Sequence, residues 1–260
     1  MIVMNYFAII IMGMTLGLLG GGGSILTVPI LVYLFHLPPT VSTGYSLFLV
    51  GASAVIGAIQ YYRKGLFDVR VGIIFSLPAF VGVYLVRSFI VPNLPSLIFT
   101  IGSFEVTKDI LILSTFGIVM LAAGISMIRG RNDSEGEDKK LNYTLVMVEG
   151  LIVGALTGFV GAGGGFLIIP ALVMLAGLPM KKAVGTSLGI IAVKSLLGFA
   201  GDIQHNPNID WNFLGVLLFF SIIGIFLGGL VSKKIAGSKL KPGFGWFTLA
   251  MGVFLILKQI

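Results

Sequence analysis

Two stretches of this chain, GLLGGGGSILTVP at 17–29 and GFVGAGGGFLIIP at 158–170, set clustered glycines inside long apolar runs. A glycine costs a helix about 1 kcal/mol relative to alanine, and a backbone group left unpaired in hydrocarbon costs several more. Segments that cross lipid therefore keep their helices intact unless the break lines a cavity. Matching interruptions in the two halves of one chain point to the binding site of a transporter.

The rest of the sequence agrees with a bilayer setting. Of 260 residues, 57% are hydrophobic and only 10% charged, and apolar segments of bilayer-crossing length recur from end to end. The opening MIVMNYFAIII has no basic segment and no small-residue cleavage site, so no separate signal peptide is expected. The chain has no cysteine, which excludes disulfides, thiol catalysis and cysteine-ligated metals. The net charge of +7 reads as loop Lys and Arg in a membrane protein, not as a nucleic-acid surface.

At a fixed offset of 141, Gly17–Leu47 and Gly158–Leu188 share 14 identities over 31 positions without a gap. Paired Gly and Pro punctuation, including Pro29/Pro170, Pro38/Pro179 and Gly44/Gly185, marks an internal duplication rather than shared apolar composition. The expected organisation is a first repeat over 1–128, a polar linker over 129–142 and a second repeat over 143–260. Each repeat has a glycine-broken segment (4–35 and 144–176) followed by three spans. These spans are 42–62, 70–90 and 109–128, then 183–201, 212–231 and 242–258.

Loop charge decides how the broken segments run. If each crosses the membrane, Lys and Arg other than Lys194 divide 8 and 8. If each folds back to the side it came from, 13 share one side and only Arg87, Lys108 and Lys258 lie on the other. The second arrangement obeys the positive-inside rule. The expected fold is thus an all-α integral membrane protein of two inverted repeats, each a re-entrant helical hairpin plus three transmembrane helices. The linker is then cytoplasmic and both termini lie outside.

Hairpins from opposite faces bring their glycine tips together near the midplane. The first amides of each following half-helix, starting near Ser24 and Gly165, lack intrahelical partners and carry the positive end of the helix dipole. A desolvated anion suits such a place. The candidate substrate site therefore comprises Gly20, Gly21, Gly22, Gly23 and Ser24 on one tip. Gly161, Ala162, Gly163, Gly164 and Gly165 form the other, with Ser46, Thr186, Ser187 and Lys194 flanking both. Ser24 is expected to cap its helix or to donate to the ligand. Lys194 lies mid-span, too far from either end to snorkel, where a charge is costly unless it is functional. Ser53 holds the equivalent place in the first half. Glu149 is a candidate for ion coupling, to H+ or Na+. His36, His205, Asp202 and Asp210 read as solvated loop groups, and Trp211, Trp246, Tyr61 and Tyr62 as interfacial belt residues. No metal-ligand spacing, cofactor motif or Ser/His/Asp arrangement is present, so neither an enzyme nor a resident cofactor is expected.

The doubled G-x-x-G-x-G-G-x-x-x-x-x-P, followed by Leu-Pro and a Ser-Leu step, resembles the TauE/SafE sulfite exporter family. It is carried here by Gly17, Gly20, Gly22, Gly23, Pro29, Leu37, Pro38, Ser46 and Leu47. The second copy runs through Gly158, Gly161, Gly163, Gly164, Pro170, Leu178, Pro179 and Thr186 to Leu188. Tyr45 stands where the second copy has Thr186. The resemblance implies a bacterial or archaeal inner-membrane carrier of sulfite, sulfonates or related organosulfur anions, coupled to ions. The expected partners are thus a small anion and the lipid bilayer, with no nucleic acid. The function expected is an alternating-access exporter of such an anion. An anion channel and a non-transporting accessory subunit are the alternatives.

Overall fold

The computed structural model describes residues 2–101, 104–129, 143–174, 176–203, 209–232, 235 and 237–258. Helix α1 (Ile2–Leu19) stops at a glycine turn, and α2 (Gly22–Pro29) follows. Gly20 holds φ at +68°, a left-handed conformation that side chains with a Cβ rarely adopt. Its amide bonds the Leu16 carbonyl at 2.8 Å, closing α1. The chain then doubles back. A Cβ on Gly23 would collide with Leu16, and Asn5 Nδ2 donates to the Leu34 carbonyl at 2.9 Å. An unbroken rod would hold residues 5 and 34 about 43 Å apart at 1.5 Å per residue.

The second glycine cluster repeats this turn. Helix α6 (Tyr143–Val160) ends at Gly161, φ +71°, whose amide bonds the Thr157 carbonyl; α7 (Gly165–Met174) then begins. The exits also correspond. Phe35 N bonds Ile30 O and Leu37 N bonds Leu31 O, as Ala176 N bonds Ala171 O and Leu178 N bonds Leu172 O. Just beyond, His36 and Gly177 both take positive φ.

The remaining helices are α3 (Pro39–Arg63), α4 (Val69–Leu85), α5 (Lys108–Arg129), α8 (Met180–Ile203), α9 (Trp211–Val231) and α10 (Gly237–Leu257). One π-helical turn, Ile30–Leu34, extends α2 past Pro29, which cannot donate to an α-helical bond. Another, Val86–Ile90, extends α4. An antiparallel pair of short strands, β1 (Leu97–Ile101) and β2 (Phe104–Thr107), joins α4 to α5. Among the described residues, five helices are long and apolar enough to cross a membrane: α3, α4 with its extension, α5, α8 and α9. The apolar part of α10, Pro242–Leu257, is shorter.

Between helices in lipid there is no hydrophobic drive, so association depends on close backbone approach at small residues. Here α1 packs in parallel on α9, and α6 on α4. Gly13 faces the Ser221 carbonyl and Gly154 the Ala79 carbonyl; Gly17 faces Ile225 and Gly158 faces Val83. Gly224 and Gly82 return the contact at Ile10 and Leu151. Helix α3 runs antiparallel to α8, with Gly44, Gly51 and Gly57 meeting Asp202, Leu196 and Leu188. Helix α5 meets α10 likewise, through Gly117 and Gly124 against Ile256 and Leu249.

Tyr61 departs from the expectation of an interfacial ring. It is buried, and its hydroxyl donates to the Gly17 carbonyl at 3.1 Å and shares a 2.8 Å hydrogen bond with Ser232. The last turn of α3 is covered by α1 and α9, so the phenol has polar partners without reaching the headgroups. Tyr62, Trp211 and Trp246 are exposed.

Gly154→Val drives a side chain into the α4 backbone and is expected to destabilise the protein by about 1–3 kcal/mol or more. Gly215→Ala on α9, where a Cβ meets nothing within 4 Å, is the control. Thermal melts of the purified variants check this: a clear fall for Gly154→Val and none for Gly215→Ala.

Candidate functional site

The two glycine turns meet backbone to backbone. A Cβ on Gly21 would collide with Gly165, one on Gly165 would collide with Gly21, and one on Gly163 would stand 3.0 Å from the Ser24 Cβ. All ten residues Gly20–Ser24 and Gly161–Gly165 are buried. Among the described residues, the amides of Gly22, Gly23, Ser24, Ala162, Gly163 and Gly164 donate to no acceptor. Both half-helix starts thus present unpaired N–H groups and the positive end of a dipole at one buried place. Ser24 does not cap α2. The helix begins two residues earlier, at Gly22, and the Ser24 hydroxyl donates to the Gly21 carbonyl at 2.7 Å.

Lys194 is fully buried on α8 against the second turn; a Cβ on Gly164 would lie 2.6 Å from its Nζ. The ammonium donates to Thr157 Oγ1 at 2.5 Å, and Thr157 in turn donates to the Gly154 carbonyl at 3.2 Å. No carboxylate lies within ion-pair reach of Lys194 among the described residues. Sequence reasoning missed Thr157, whose tie to Lys194 follows from the packing of both α6 and α8 on α4. Ser53, the corresponding residue of α3, shares a 2.6 Å hydrogen bond with Ser221.

A second buried cation lies at the other end of the same turn. Arg87, in the π-helical turn after α4, is 1% exposed. Its Nη1 donates to Thr43 Oγ1 at 3.2 Å and to both Asp202 carboxylate oxygens, at 3.2 and 3.3 Å. The expectation that Asp202 is a solvated loop group is therefore corrected. It belongs to the last turn of α8, faces Gly44 of α3 and is paired with Arg87. Asp202 also forms one wall of a small cleft with Thr40, Gly44, Tyr45 and Phe199. His205 lies outside the described residues; His36 and Asp210 are exposed, and Asp210 caps α9 through the Phe213 amide.

Of the flanking hydroxyls, Ser187 abuts the first turn, with its Oγ 2.8 Å from a Cβ placed on Gly20. That Oγ donates to the Val184 carbonyl. Ser46 buries a hydroxyl without a partner among the described residues. Thr186 is not at the tips. Its Oγ1 accepts from the Asp68 amide at 2.9 Å, and Tyr45, its counterpart, accepts from the Asp210 amide at 3.0 Å. Glu149 is half-buried on the second turn of α6.

These features can be set beside known proteins. Residues 6–255 match the family described as Sulfite exporter TauE/SafE. The chain belongs to that family. A “probable membrane transporter protein” of Xylella fastidiosa is 31% identical over 256 residues, covering 96% of this chain and 92% of that one. A protein of the same description from Methanocaldococcus jannaschii is 28% identical over 270 residues, covering 96% and 94%. One from Bacillus subtilis is 28% identical over 228 residues, covering 86% of each. No solved structure matches the chain. This TauE/SafE member is a multi-pass membrane transporter of a small substrate, and its two buried cations among the described residues lie at the second glycine turn.

Outside the spans, Asp68 caps α4 and pairs with Lys182 at 3.1 Å. Partial burial alone would raise its carboxyl pKa, but the Val71 amide and the Lys182 ammonium outweigh that and hold it below the ordinary aspartate value. A lowered carboxylate contributes stability above its unfolded pKa and loses it as pH falls through the folded value. The wild type is therefore expected to lose melting temperature on acidification below about pH 4, near the unperturbed aspartate value. Asp68→Asn should show a flatter acid limb, and melts across that range read the difference.

Proposed function

We propose that this protein is a secondary transporter that exports a small anion, such as sulfite, a sulfonate or a related organosulfur anion, by alternating access. The anion is held at the half-helix starts Gly20–Ser24 and Gly161–Gly165, flanked by Ser46, Ser187 and Lys194. One observation carries this reading: a fully buried lysine with no described carboxylate partner touches a glycine turn whose amides are unpaired. A buried cation without a countercharge is costly, and a visiting anion supplies the charge that the protein leaves out.

Alternating access here is a relative movement of two inverted repeats about a fixed site. The reciprocal contacts of α1 with α9 and α6 with α4 support that symmetry, as does the antiparallel run of α3 and α8. The Asp68–Lys182 pair sets the starts of α4 and α8 at one end of the molecule, consistent with a basic cytoplasmic face bearing the central loop 129–142 and with outward termini. Half-buried Glu149, near that face, is the carboxylate that takes the coupling H+ or Na+.

Gly22→Val and Gly163→Val are each expected to abolish sulfite flux in proteoliposomes while membrane insertion persists. Lys194→Ala should raise the anion dissociation constant at least about tenfold, as loss of a charged hydrogen bond does. Unaltered flux in the glycine variants would sink the assignment of the site. Accumulation against an imposed proton gradient identifies the carrier, because a channel cannot concentrate its anion.

A further inference from the structure

Among the buried polar groups, the Arg87 guanidinium has the most hydrogen-bonding capacity left unused. All three of its described bonds are made by Nη1, to Thr43 and Asp202. Nε and Nη2 are buried with no partner among the described residues. A pair whose only task was to lock α4 to α8 would leave three N–H groups desolvated for nothing, each at a cost of about 1–3 kcal/mol. Two of those three, Nε–H and one Nη2–H, form the edge of the guanidinium that presents parallel N–H groups and takes two oxygens at once.

That edge also faces the right place. A Cβ on Gly161 would collide with Arg87 Nη2, and one on Gly164 would lie beside Lys194 Nζ. Three peptide links separate these glycines, so their Cα atoms are at most about 11 Å apart. Arg87 and Lys194 thus bracket one turn, with the unpaired amides of Ala162, Gly163 and Gly164 between them. The first turn has no such pair. The residue corresponding to Lys194 is Ser53, and at the offset of 142 that relates α4 to α9 the residue corresponding to Arg87 is Gly229. Both cations are therefore specific additions to the second turn.

We propose that Arg87 is a second cationic contact for the transported anion, binding it through two oxygens on the Nε/Nη2 edge. The inference rests on the transporter reading above and narrows its substrate class to oxyanions with a pair of oxygens to offer: sulfite, sulfonates and carboxylates, in preference to spherical anions. Asp202 and Thr43 are positioning residues that hold Nη1, so that the opposite edge is aimed before the anion arrives.

The test is titration of the purified full-length protein with methanesulfonate, sulfite, acetate and chloride, read by thermal shift. Arg87→Lys keeps the charge opposite Asp202 but removes the fork. The double variant Arg87→Gln/Asp202→Asn removes both charges of the pair, so neither member is left buried without its partner. In both, oxyanion affinity is expected to fall at least about tenfold, the loss of a charge-assisted bond, while chloride changes much less. The ligand-free melting temperature of the double variant should stay near that of the wild type. Arg87→Lys decides alone if the double variant does not fold. Methanesulfonate binding within twofold of wild type in Arg87→Lys overturns the inference. Lys194→Ala, run in parallel, separates the two readings: affinity lost there but kept in the Arg87 variants leaves the transporter site standing without Arg87. A wild type that binds none of the three oxyanions removes both.

Discussion

The structure depends on two main chains touching where no side chain intervenes. Gly21 and Gly165 stand so close that a single methyl on either would part them. Everything around that contact follows from it. Each half-helix must begin at the meeting point, so its first amides are left without partners, and the hydrophobic body excludes the water that would otherwise satisfy them. Cohesion and the array of unpaired amides therefore arise from the same absence of Cβ atoms.

The symmetry of the framework and the asymmetry of its charges have different origins. Backbone packing repeats closely in the two halves, down to the serine and alanine carbonyls that receive Gly13 and Gly154. Side-chain chemistry does not. Thr186 and Tyr45 differ in size and acidity, yet each accepts the amide of a helix-capping aspartate, because the geometry asks only for an oxygen at that point. Lys194 and Arg87, by contrast, have neutral counterparts. The packing around the two turns thus corresponds, while both of these cations stand at the second.

Much of this was readable in the sequence because glycine and proline act through the backbone, and backbone constraints are local. The all-helical membrane class and both glycine breaks come directly from composition and punctuation. Arg87 and Asp202 were legible only as charges near the ends of apolar runs, and loop counting treated them as solvated. Their meeting is set by how α4 lies on α8, which no single-segment pattern encodes. Thr157 was hidden for the same reason, as was Tyr61, whose place near the end of an apolar run mimics an interfacial ring. An arginine within an apolar run and an aspartate on a different run are the paired signal to seek in related chains; here the π-helical turn carrying Arg87 reinforces it.

The exchange of partners between halves bears on how the protein is made. Helix α1 finds its parallel neighbour in α9, so this helix lacks its main contact until residue 231 has been synthesised. At about 5–20 residues per second, that is a wait of roughly 10–40 s. During it, a glycine-notched hairpin must lodge in the bilayer or the insertion machinery with its packing stripe bare. Final assembly is consequently a late event, and a nascent chain truncated before α9 would carry an orphan hairpin, open to capture by quality control.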